Sequence, residues 1–375
     1  MKIKRLLIKI AKNKRLTRIR SFIQEHFPVV YYWTQNAIYS KFKGKYLDIP
    51  ISKSVMLRVW TDSCDDSRGI GRVTRLMVEK LKKIAYEKKV IGRSINLYPS
   101  IFFCPDNIEK DSVLILHDVI PLIYPDGFAK SLVLRWRRDY IKLIHKFDLI
   151  LTMSETAKND IQRETKVPPD MIKVIQWPIT PIVANGDRDA INIDLNYEYI
   201  LFVGSTDPHK NLQVIFQALE KSSSMSSLRF VLIGDSSQIK NKIPQSIQDR
   251  VLMLGVVSDE YLSYAYDHAL CVVYPSLYEG FGLPPFEAAL KKKPVIVSKI
   301  KIFQEFWTSK EVYFADPTNY SSWVEAINKV RDNPTDKIDA AYEKALERTK
   351  IDLAEEIRNV VDEFAVDKIR KERKE

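Results

Sequence analysis

The sequence predicts an α/β protein of two parallel-sheet domains facing across a cleft. Three observations carry this. Short apolar runs alternate with amphipathic helical periods in two separate series, the pattern of parallel sheets with crossover helices. The 375 residues suffice for two domains at about 150–200 residues each. Between the two series, 177–196 fits neither period and contains Pro178, Pro181 and the segment NGDRD, so it reads as a linker.

Taken in order, residues 1–50 form a basic amphipathic lead. The next domain spans 51–185. Its strands are expected at 55–60, 90–97, 113–116, 149–152 and 173–175, with helices at 70–86 and 128–146. Ser154 has the residue type and position of an N-cap for a further helix. The domain 186–350 repeats the alternation, with strands at 199–203, 230–233, 251–254, 271–274 and 295–297. Helices are expected at 211–220, 260–267 and from about Pro284. A charged C-terminal helix occupies 351–375.

Composition excludes several classes. Apolar residues make up 45% of the chain, which is enough for real cores and rules out global disorder. Cys64, Cys104 and Cys271 make no CxxC pair, and the five histidines have no ligand spacing, so neither a disulfide framework nor a zinc site is expected. The net charge of +11 points to an anionic partner. Much of it lies in MKIKRLLIKIAKNKRLTRIR, which has no acid. No apolar run reaches the ~18 residues of a spanning helix, and no signal-peptide pattern appears. The expectation is a cytoplasmic protein held on the inner face of the membrane through residues 1–23.

The stretch YPSLYEGFGLPPFEA, residues 274–288, is the most informative. A buried strand runs into a loop with Gly280 and Gly282, and a helix begins near Pro284. Free N–H groups and the helix dipole there make an anion pocket suited to phosphate. Glu279 and Glu287 flank it, where carboxylates would accept hydrogen bonds from sugar hydroxyls. A capping loop with dipole-favoured acids is the plainer alternative.

EGFGLPPFEA resembles the E-x7-E signature of retaining nucleotide-sugar glycosyltransferases of family 4. LFVGSTDPHKNLQVIFQALE, RFVLIGD, LHDVIPLIYPDGF and SRGIGRVTR are similar to further family segments in the same order. The resemblance implies the GT-B fold, two Rossmann-like parallel-sheet domains, with the acceptor in the first and the nucleotide sugar in the second. By that likeness Glu287 holds the ribose hydroxyls and Glu279 the sugar hydroxyls. Gly204, Phe281, Gly282 and Leu283 meet donor sugar and phosphate, and Lys210 neutralises the diphosphate. His117 matches the histidine that approaches the donor sugar. Arg68, Gly69, Gly71 and Arg72 correspond to a loop for acceptor or diphosphate. Two departures stand out: Ser205 follows Gly204 where the family often has Arg, and His209 precedes the lysine where Arg is common.

The exact D-x-D, Asp187-Arg188-Asp189, falls in the linker, where it reads as solvated. Asp62, Asp65 and Asp66 follow a strand and read as a polar loop or as acceptor contacts. Gly69-Ile-Gly71 lacks the third glycine of a dinucleotide fingerprint. The expected activity is retaining, metal-independent hexosyl transfer, mannosyl by likeness, with no cofactor. The acceptor is a lipid-linked or other glycan in bacterial surface polysaccharide assembly. The alternatives are a GT-B sugar-nucleotide epimerase and a basic nucleic-acid-binding protein. No nucleic-acid module is present, so no nucleic-acid partner is expected.

Overall fold

The structure, a computed structural model, describes residues 44–66, 69–85, 90, 92–182, 195–236 and 239–372. The lead segment 1–23, Arg68, Asp187 and Asp189 lie outside them. The chain forms two units, Met1–Trp177 with Asp352–Glu375, and Pro178–Ile351.

In the first unit six strands lie in the order β1-β2-β3-β4-β5-β6. They are Tyr46–Pro50, Val55–Trp60, Arg93–Tyr98, Ser112–Ile115, Leu149–Thr152 and Ile172–Val174. All neighbours are parallel except β1, which pairs antiparallel with β2 from Tyr46↔Trp60 to Pro50↔Met56. By its sequence β1 falls inside the basic lead 1–50. Asp48 and Pro50 weaken its strand signal, and an edge strand tolerates both. There Asp48 pairs with Arg58 of β2 at 2.8 Å. The central strands β4 and β5 are buried at every position, which is why they read as continuous apolar runs rather than alternation.

The expected helix 128–146 is broken into Lys130–Arg135, a π turn at Trp136–Tyr140, and Ile141–Ile144. Trp136 and Tyr140, four residues apart on one face, both enter the core, at 1% and 4% exposure. Gly69 and Gly71 belong to the helix Gly69–Lys83 rather than to a loop. A Cβ on Gly71 would sit 1.8 Å from the Asp66 carbonyl oxygen, so this glycine allows the preceding loop to press on the helix. The last helix, Leu353–Glu372, packs against that same helix and β3. Ser52 donates to Asp362 at 2.8 Å, and Lys368 and Arg93 pair with Asp148 and Glu372. Leu353, Ala354, Ile357 and Val361 are fully buried.

The second unit has an all-parallel sheet in the order β12-β11-β10-β7-β8-β9. Its strands are, from β7, Tyr199–Val203, Arg229–Ile233, Val251–Gly255, Cys271–Tyr274, Val295–Ser298 and Tyr313–Ala315. The short β12 and the helices Lys301–Phe306, Tyr320–Asp332 and Ile338–Thr349 were not expected. In such sheets the chain reverses between β7 and β10, and ligands bind beyond the carboxyl ends of the strands there.

Candidate functional site

β7 and β10 are direct neighbours, and the loops after them are tied together. Leu277 N–H donates to the His209 carbonyl at 2.7 Å, and the Asn211 side chain donates to the carbonyls of Pro275 and Pro317 at 3.1 and 2.7 Å. Asn211 takes the left-handed conformation that ends the short Pro208–Lys210 turn. These bonds place Lys210 directly against the β10 loop.

Lys210 is buried, and its Nζ lies 2.6 Å from Glu279 Oε1. The same Nζ donates to the Tyr274 hydroxyl at 3.2 Å, while Ser276 Oγ donates to Glu279 Oε1 at 2.5 Å. Burial by itself pushes the Lys210 ammonium down, but the Glu279 charge and the Tyr274 oxygen outweigh it and the net direction is up. Burial and the Glu279 charge push the Tyr274 phenol up, so it stays protonated. Burial, with a smaller push from Lys210, lowers His209 to about 3, so that ring is neutral. Thus the Lys210 ammonium and the Glu279 carboxylate are buried together, each satisfied by the other.

Gly282 caps the helix Leu283–Leu290 with φ +90°, in the left-handed region, and a Cβ there would meet the Phe303 ring at 2.8 Å. Pro284 and Pro285 fill the first turn and have no N–H. The expected run of free amides is therefore shortened, with Gly282, Leu283 and Phe286 carrying the N–H groups of this turn. Glu287 stands one turn further on, buried, and its Oε2 accepts from the Tyr266 hydroxyl at 3.0 Å. Phe281 is held in an aromatic group. It stacks on Phe286 at 5.5 Å and meets the edge of Phe306 at 4.8 Å, with the Arg348 guanidinium 5.3 Å from its centre. Gly204 ends β7, its N–H bound to the Ile233 carbonyl at 2.8 Å.

The predicted residues Gly204, Lys210, Glu279, Phe281, Gly282, Leu283 and Glu287 therefore gather in the second unit, at the ends of β7 and β10. His117 belongs to the first unit, two residues past β4. Its ring donates to the Pro99 carbonyl, while Nε2 is buried with no partner among the described residues. Trp177 stands edge-on to it at 6.2 Å. Burial lowers His117 to about 4, only partly opposed by the Pro99 bond. Asp118 accepts from the Ile120 N–H at 3.0 Å, as a turn-capping carboxylate. Arg72 is exposed on the helix that begins at Gly69. Asp65 pairs with Lys45 at 3.1 Å on the surface, and Asp62 accepts from the Lys45 N–H at 3.3 Å. Among the described residues no group of His, Cys, Asp and Glu is arranged to hold a metal ion.

Tyr274, Ser276, Tyr266 and Arg348 had no assigned role in the sequence. Tyr274 carried one signal, a hydroxyl on the last residue of a buried strand. Arg348 carried none, since it lies far along the chain from the glycine loop at Gly280–Gly282.

Two α/β units, each built on a mostly parallel sheet, are the architecture of the GT-B fold, and solved structures agree. Sucrose-phosphate synthase from Thermosynechococcus elongatus superposes with a TM-score of 0.57 at 18% identity, covering 72% of this chain and 73% of that one. Anabaena Alr3699/HepE, solved with UDP and glucose, gives 0.57 at 17% identity, covering 80% and 84%. Residues 184–348 match the family described as glycosyl transferases group 1. The O-antigen chain mannosyltransferase RfbU of Salmonella typhimurium is 29% identical over 231 residues, 60% of this chain and 62% of the relative. The O-antigen chain mannosyltransferase B of Escherichia coli is 26% identical over 217 residues, 54% and 57%. The chain thus spans less than two thirds of the length of these two relatives.

Proposed function

We propose that the protein is a retaining glycosyltransferase that moves a hexose, mannose, from a nucleotide sugar to a lipid-linked or other glycan acceptor in bacterial surface polysaccharide assembly. The observation that carries this is the cluster of three buried charged side chains, Lys210, Glu279 and Glu287, around the glycine-capped helix at the ends of β7 and β10. Buried charges without a structural purpose are rare, and a cation beside two carboxylates suits a ligand that is both phosphate and polyol. The likeness to O-antigen mannosyltransferases supports the choice of mannose.

In this reading Glu287 accepts hydrogen bonds from the ribose hydroxyls and Glu279 from the donor sugar. Lys210 meets the diphosphate. Without a donor its charge is met by Glu279, so an arriving diphosphate offers a second anion to the same ammonium. The bond from the anomeric carbon to the diphosphate oxygen breaks, and a bond from that carbon to the acceptor oxygen forms on the same face. The acceptor proton passes to the leaving diphosphate. Lys210 and the Leu283 N–H stabilise the negative charge that develops there. Catalysis needs no metal and persists in excess EDTA.

Among the described residues no helix is long and apolar enough to cross a membrane. Attachment to the inner membrane face rests on the basic residues 1–23, whose lysines and arginines suit anionic headgroups.

The test is nucleotide binding and sugar transfer by Glu287→Ala and Glu279→Ala, with GDP-mannose against UDP-linked hexoses. Glu287→Ala should mainly weaken nucleotide affinity, and Glu279→Ala should mainly lower turnover. Near-wild-type behaviour of both variants would remove the site assignment, and sugar-nucleotide isomerisation without an acceptor would mark an epimerase.

A further inference from the structure

The loop between Glu279 and the helix Leu283–Leu290 has glycine at 280 and 282 and one large side chain between them, Phe281. The position of its backbone depends on how that ring is held. Phe281 is 5% exposed and packs on Phe286 and Phe306. The guanidinium of Arg348 lies 4.6 Å from the centre of Phe306 and 5.3 Å from the centres of both Phe281 and Phe286. Three aromatic rings around one cation exceed what an ordinary surface arginine finds.

Arg348 is itself anchored. It stands in the last turn of the helix Ile338–Thr349, which packs against Leu283–Leu290. Its carbonyl accepts from the Ile179 N–H at 3.3 Å. Glu305, two residues before Trp307 on the helix that carries Phe306, is the acid that faces it. A flat guanidinium can lie against several ring faces at once, whereas a lysine ammonium is a compact charge on a flexible stem.

We infer that Arg348 is a positioning residue for the donor loop: its guanidinium holds the rings of Phe281, Phe286 and Phe306 and thereby fixes the backbone of Gly280–Gly282 for the nucleotide diphosphate. This rests on the reading of that loop as the donor site. It adds a residue outside the glycine-rich motif, acting through Phe281 rather than on the ligand.

The experiment is calorimetric titration of the full chain with GDP and with UDP, alongside thermal melts without nucleotide, for wild type, Arg348→Met, Arg348→Lys and Glu287→Ala. Methionine keeps the bulk and removes the charge. Arg348→Met should weaken whichever nucleotide binds by about tenfold, with a melting shift of less than about 3 °C, and Arg348→Lys should fall between it and wild type. Affinity within about twofold of wild type in Arg348→Met overturns the inference, as does a loss accompanied by a larger melting drop. If Arg348→Met does not fold, Arg348→Lys decides, with about threefold weakening expected and unchanged affinity contrary. Glu287→Ala separates the two levels. Weakening by Glu287→Ala alone removes the role of Arg348 and leaves the donor site standing. Unchanged affinity in Glu287→Ala removes the donor site, and the inference with it.

Discussion

Beyond β4 the first unit presents His117, a neutral ring whose buried Nε2 has no partner among the described residues. Beyond β7 and β10 the second unit presents Lys210, Glu279 and Glu287, charged groups that are already paired or hydrogen-bonded. The contrast follows from the cost of burial. A charge cannot be kept dry unless another group meets it, whereas a neutral imidazole can be buried with one nitrogen unmet at much smaller cost. Proline has no N–H, so the Pro99 bond requires the His117 ring to donate, and in the neutral ring the other nitrogen is then an acceptor. The second edge therefore holds charges whose partners lie within the fold, and the first holds a neutral acceptor that is buried without one among the described residues.

The largest effect that would break this comparison comes from removing half of the buried pair. Lys210→Met should destabilise the protein by about 3–5 kcal/mol, because Glu279 is left charged and dry. Adding Glu279→Gln should recover most of that loss. Denaturant melts of the two singles and the double give the coupling. Simple additivity would mean that the two groups are not a pair in solution.

A smaller effect sharpens it. Gly71→Ala and Gly282→Ala both force atoms apart, by 1.8 Å contact with a backbone carbonyl and 2.8 Å contact with Phe303 respectively. Each should cost about 1–3 kcal/mol of stability. Only Gly282→Ala should also weaken nucleotide binding, since Gly71 serves the fit of a helix to its preceding loop. Loss of nucleotide affinity in Gly71→Ala would give that helix start a ligand role.

The smallest is read in pH. The folded state holds His117 down at about 4 and His209 at about 3. Both lie below the ordinary unfolded value of about 6.5. Their contribution to stability is therefore full above about pH 6.5 and is lost as pH falls toward the folded values, where the unfolded chain binds the extra protons. His117→Asn should flatten the slope of unfolding free energy between about pH 6 and 4.5 by up to about 1.4 kcal/mol per pH unit. An unchanged slope would show that His117 titrates normally in the fold.

Much of this was readable in the residues. Fully buried parallel strands such as β5 and β10 are short apolar runs, and their bounds matched at Leu149–Thr152 and Cys271–Tyr274. The edge strand β1 was hidden by Asp48 and Pro50, and the π turn by its neighbours' ordinary helical spacing. At the candidate site, glycines and carboxylates at fixed spacing marked the loop. What spacing cannot show is which charges meet. Lys210 and Glu279 are 69 positions apart, and only the pairing of β7 with β10 brings them to 2.6 Å. The two prolines after Leu283 were visible from the start, but their missing N–H groups matter only once the helix is known to begin at Leu283.

The helix Leu353–Glu372 also has a consequence for the order of events on the ribosome. The second unit is one continuous stretch, Pro178–Ile351, and every strand of its sheet has been synthesised by Ala315. The first unit begins earlier but lacks the helix that covers β3 and Gly69–Lys83 until residues 353–372 have emerged. Its apolar flank must wait, uncovered, through the synthesis of the whole second unit. The first unit is therefore completed only after the second, and a premature stop after Ile351 would leave the second unit entire and the first one open.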